Sequence, residues 1–175
     1  MAGTLLHITL ADRALEDERL PQAVAAPARA HRADYRLGAV LVDLAYYRRL
    51  WRTALVMAAG GAPSFAGIGE EIHSRAPARF ALALVNRAAS DADRARALGH
   101  LTHHAVDLAF HPEIVRRAAR LEADGVPRSL AHKRVEDELD LHVHYDLLGH
   151  AGVGNAYAAR ALALRPARGW TAHAR

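Results

Sequence analysis

The sequence predicts an all-α fold, a single-domain bundle of about six or seven helices. Three observations carry this. Apolar residues recur at helical spacing in successive segments, no segment alternates with period two long enough to make a strand, and no repeat or long linker divides the chain. At 175 residues, 51% of them apolar and 24% charged, the chain can bury a real core and has a globular composition. Residues 1–165 are expected to form the helical domain and residues 166–175 a frayed tail.

Residues 5–25 read as a first helix, with Leu5, Ile8, Leu10, Leu15 and Leu20 among its apolar positions and Pro21 and Pro27 limiting it. Residues 28–36 read as a connector. Residues 37–59 give a long helix, apolar nearly all round, in which Asp43 stands alone between Val42 and Leu44; a carboxylate on such a surface requires a partner. Gly60-Gly61-Ala62-Pro63 is a break, and residues 65–73 a loop or short helix ending on His73. Pro77 opens a helix through Ala88. Ser90, followed by Asp91 and Asp93, is an N-cap. The helix it starts is expected to stop near Phe110, because Pro112 disfavours helical geometry at His111. A new helix then runs from Pro112 to Ala123, before Asp124-Gly125. Ser129 is expected to cap a helix over residues 130–148, and residues 155–164 to form a short last one.

Composition narrows the chemistry. There is no cysteine, which excludes disulfides and thiolate metal sites. The net charge of +4 is carried almost wholly by arginine, Lys133 being the one lysine, and the arginines are spread along the chain as on an ordinary solvated surface. The apolar runs are short and broken by charges, so no transmembrane span or signal peptide is expected, and the default location is cytoplasmic.

Against this background the stretch from Gly99 to Pro112 stands out, with four histidines and an aspartate in an otherwise apolar segment. Residues four apart lie about 40° apart around a helix, so His103, Asp107 and His111 form one drifting stripe. His100, His104 and Asp107 form a competing face, and the spacing alone does not choose between them. Downstream, His132 and Glu136 share a helical face that Asp140 and His144 continue. As an isolated pair they would be an ordinary surface ion pair. Histidine and carboxylate are the nitrogen and oxygen ligands of zinc and related metals.

The order of the whole set is more specific than any part. His7, Asp43 after Leu37-Gly38, His73, then Gly99-x-x-x-His103-x-x-x-Asp107-x-x-x-His111-Pro112, then His132-x-x-x-Glu136 resembles the zinc-dependent phospholipase C family, related to the S1/P1-type nucleases. The resemblance covers roughly residues 5–145. It implies a multi-helix bundle of the phospholipase C/P1 nuclease type that uses a zinc cluster to cut phosphodiester bonds. It further implies Asp43, His73, His103 and Asp107 as ligands of a first zinc, His111, His132 and Glu136 as ligands of a second, and His7 with a bridging Asp107 at a third. In secreted members an N-terminal tryptophan completes the third site. This chain begins Met1-Ala2, so two or three ions are expected. Asp43 is also a candidate catalytic base for the attacking water.

The expected substrate is a phosphodiester, either a phospholipid or a nucleotide-type ester, with no stable nucleic-acid complex. The alternatives are a nuclease or nucleotide phosphohydrolase of the same fold, and a catalytically inactive, metal-stabilised helical protein. The adjacent His-Asp pair of the HD phosphohydrolases is absent. The oligomeric state stays open.

Overall fold

The computed structural model describes residues 3–47, 77–143 and 145. Among them are six helices and no strand: α1 (Thr4–Glu16), α2 (Gln22–Ala30), α3 (Arg32–Tyr47), α4 (Pro77–Arg87), α5 (Asp91–Ala123) and α6 (Arg128–His142). The expected elements at residues 65–73 and 155–164, the tail, and the far ends of the helices expected over 37–59 and 130–148 lie outside the described residues. No described helix is long and apolar enough to cross a membrane.

The 33-residue α5 is the axis, and every other described helix packs against it. Its start is built as expected. Ser90 Oγ accepts from the Asp93 amide, the Asp93 carboxylate accepts from the Ser90 amide, and Asp91 and Asp93 sit where the helix dipole favours negative charge.

The expected break at Pro112 does not occur: α5 runs straight through it, so His111 lies inside one helix rather than at a corner. Proline removes one backbone bond, to the carbonyl of Leu108. Both Leu108 and Pro112 are on the exposed side, where water can satisfy that carbonyl. On the other side Val106, Ile114 and Ala118 continue a single buried stripe against α1 and α6. Burial of that stripe outweighs the local preference for a stop.

The amino-terminal boundaries also differ from expectation. The helix expected over residues 5–25 is two helices. The Asp17 carboxylate takes the Arg19 amide and guanidinium in a tight turn, and Pro21 disfavours helix at Leu20. Arg29 then reaches back from α2 to the Leu15 carbonyl, at 2.7 Å, and satisfies the end of α1. Pro27 sits inside α2, and the expected connector at 28–36 is helical on both sides of His31. Ser129 falls in the first turn of α6, whose N-cap is Pro127.

Among the described residues two small cores lie along α5. One gathers Ala11, Leu15, Ala28, Tyr35, Ala39 and Ala95; the other gathers Leu6, Val106, Ile114, Ala118, Ala131 and Val135. Polar ties hold α1 and α3 in place beside them. Tyr35 Oη donates to the Ala11 carbonyl at 2.9 Å, and Arg36 grips Asp12 at 2.6 Å.

The contact of α3 with α5 is made through backbone. A Cβ at Gly38 would fall on the Arg96 carbonyl, and one at Gly99 on the Tyr35 carbonyl and 2.9 Å from the Ala39 nitrogen. Two glycines, one on each helix, therefore let the axes approach more closely than any side chain permits.

An exposed helical glycine gains roughly 1 kcal/mol when replaced by alanine. Here the sign reverses. Gly99→Ala and Gly38→Ala each lower stability by about 1–3 kcal/mol through overpacking, measured by thermal or denaturant unfolding. An unchanged or raised Tm contradicts the close crossing.

Candidate metal centre

The crossing at Gly38 and Gly99 fixes the side chains one turn later on each helix. Ala39 is the next residue after Gly38, and its carbonyl accepts from Nδ1 of His103, four residues after Gly99, at 2.9 Å. That bond leaves Nε2 of His103 directed at Asp107, 3.1 Å from Oδ2. Asp43, one turn beyond Ala39 on α3, brings its Oδ1 to 4.0 Å from the same nitrogen. A histidine whose other ring nitrogen is held by a backbone carbonyl is the arrangement by which proteins orient metal ligands.

His7 enters from α1. Its ring stacks on that of His103, with centroids 4.1 Å apart and planes 19° from parallel. Its Nε2 is 3.5 Å from Asp107 Oδ1 and 3.9 Å from Asp43 Oδ2. His7, His103 and Asp107 each offer a ligand atom within 4.8 Å of the others. All three are buried, as is Asp43.

A second group forms one turn further along α5. His111, His132 and Glu136 again offer ligand atoms within 4.8 Å of one another. His132 Nε2 is 3.0 Å from Glu136 Oε1, and the rings of His111 and His132 meet edge to face at 5.7 Å. Glu136 is buried, but the side chains of His111 and His132 are 36% and 31% exposed, so this group opens to solvent while the first does not. Asp107 lies between the two. The same Oδ1 that faces His7 is 3.6 Å from Nε2 of His111.

The electrostatics suit a cation. Burial opposes ionisation of Asp107, yet the hydrogen bond from His103, the close approach of His7 and the charge of both rings hold its carboxyl far below the usual range. Burial likewise opposes the charged form of His103, but its bond to Asp107 and the nearby Asp43 carboxylate raise its pKa above the ordinary histidine value. Burial pushes that of His111 down, toward the neutral, ligating form.

The donor set also fits. Neither ring nitrogen of His7 is within good hydrogen-bonding geometry of a partner among the described residues, and leaving such an atom buried costs about 1–3 kcal/mol. Nitrogen and carboxylate oxygen are what zinc and its neighbours take. The buried first group and the partly open second group could therefore each hold a metal ion.

Of the expected ligands, the structure brings together His7, Asp43, His103 and Asp107 in one group and His111, His132 and Glu136 in the other. His73 lies outside the described residues. His7 lies beside both His103 and Asp107, because the first turn of α1 brings its ring onto that of His103. Neither candidate group among the described residues includes His100 or His104; His100 is fully buried against Phe80 on α4, with ring centroids 5.0 Å apart. Spacing did not reveal the Ala39 carbonyl as the anchor of His103, since a backbone atom leaves no mark in a residue pattern.

Compared with protein-family models, with curated proteins and with solved structures, the chain matches none.

Against the effect of burial, the hydrogen bond to Asp107 and the nearby Asp43 carboxylate raise the His103 pKa, so a metal competes with a proton there at higher pH than at an ordinary histidine, whereas the Asp107 carboxyl is held low and adds no slope. Zinc affinity, measured by competition with a chromophoric chelator, is therefore expected to weaken as pH falls through the histidine range, by at least about tenfold per pH unit below it. A pH-independent affinity would place zinc away from His103.

Proposed function

We propose that this chain is a metal-dependent phosphodiester hydrolase, most like phospholipase C, with residues 1–165 as one helical metal-binding domain. The observation that carries the reading is the position of Asp107. Its Oδ2 faces His103 at 3.1 Å, and its Oδ1 faces both His7 at 3.5 Å and His111 at 3.6 Å, so one carboxylate would serve two adjacent ligand groups. A carboxylate shared between two groups is the arrangement of two-metal phosphoesterases.

In this reading His7, Asp43, His103 and Asp107 hold one ion, joined by His73, and Asp107, His111, His132 and Glu136 hold the next. Zinc is the expected metal, with two or three ions in all. When bound, the metals supply Lewis acidity to a phosphoryl oxygen and make a water acidic enough to attack near neutral pH. The chain supplies the rest. The Ala39 carbonyl fixes the His103 ring and the stacked His7 ring covers its flank, and Asp43, 4.0 Å from His103 Nε2, would receive a proton from the attacking water. The half-exposed edges of His111 and His132 are where a substrate phosphate reaches the centre.

Asp107→Asn keeps the shape and removes the shared charge. It is expected to abolish turnover and to weaken zinc binding, while circular dichroism stays helical. Assays on phosphatidylcholine vesicles, single-stranded nucleic acid and nucleotide diesters distinguish the substrate classes. Zinc bound with no turnover on any ester would instead leave a metal-stabilised helical protein.

A further inference from the structure

The face of α6 that carries His132 and Glu136 continues, four residues on, to Asp140. This side chain belongs to neither ligand group and is spent on another helix. Asp140 Oδ1 accepts from the Leu6 amide at 2.9 Å and Oδ2 from the Leu5 amide at 3.2 Å. Helix α1 has no cap of its own: its N-cap is Gly3, which brings no side-chain acceptor. The first free amides of a helix need an acceptor, and a carboxylate is the best placed one. Here it arrives from 134 residues away in sequence.

The fit is specific to these two residues. A Cβ at Gly3 would collide with the Asp140 carboxyl group, so any larger residue there forces that carboxylate to shift from its seat against the end of α1. The turn it clamps contains His7, whose amide donates to the Gly3 carbonyl at 3.2 Å. One stripe of α6 thus supplies two residues of the second ligand group and the clamp on the helix start that carries His7 into the first.

We infer that Asp140 is a positioning residue for the metal centre: by capping α1 across the bundle it sets His7 against His103 and Asp107, and it ties the first ligand group to the helix that builds the second. The inference rests on the metal reading of both groups. Asp140 touches no metal in this scheme and acts through His7.

The test measures zinc affinity by chelator competition in a His132→Ala background, where the second group is disabled. Asp140→Ala is expected to weaken zinc binding at the first group by about tenfold or more, the scale of lost orienting contacts around metal ligands. Asp140→Asn, which keeps an oxygen acceptor, is expected to recover most of it. Gly3→Ala, which keeps the carboxylate but blocks its seat, is expected to reproduce the loss.

A double-mutant cycle separates positioning from general stabilisation. With His7→Ala already present, Asp140→Ala should change zinc affinity no further. An equal loss in that background, or unchanged affinity in folded Asp140→Ala, overturns the role of Asp140 while leaving the metal centre standing. If the parent chain binds no zinc, the metal reading fails and this one with it.

Discussion

The near-contact of two helix backbones at Gly38 and Gly99 is the constraint on which the centre depends. Interiors are close-packed, and the approach of two helices is normally set by the side chains between them. At this crossing there are none, and the Tyr35 and Arg96 carbonyls occupy the space a Cβ would fill. Only at that separation can the Ala39 carbonyl accept a bond from the His103 ring, and only then does Asp43 face the same point as Asp107. Farther apart, the same residues would be two unrelated buried acids and a histidine, an arrangement that burial alone would not tolerate.

From that crossing outward the centre becomes less buried. The first group is sealed among α1, α3 and α5, with His7 stacked on His103. The second, on α5 and α6, has a buried carboxylate at its base and two half-exposed histidine edges. Asp107 joins them, buried enough to be shaped by its neighbours and held ionised by two histidines. A deep side and an open side thus meet at one carboxylate.

Much of this was legible in the residues, for local reasons. The His103–Asp107–His111 stripe and the His132–Glu136 pair are consequences of helical period, which is written directly in spacing. Asp43 announced itself as one acid in an apolar run, and Ser90 with Asp93 announced a helix start that the capping box builds. What was not legible depends on distant packing. Pro112 looks like a stop until Ile114 and Ala118 are seen buried against α1 and α6. No spacing in the sequence shows that α1 lays His7 on the His103 ring. Asp140 looked like the tail of a polar face, and its role is a bond across 134 residues that no window of sequence contains. His100 belongs to the competing face in the pattern, and its burial against Phe80 from α4 is visible only in the packing.

The central claim is that one chain holds two adjacent metal sites sharing Asp107. The most direct measurement is elemental analysis of the full chain after reconstitution with zinc and removal of unbound metal by gel filtration. The account predicts two or three zinc ions per chain. A value near zero would contradict it, and a value of one would contradict the shared carboxylate.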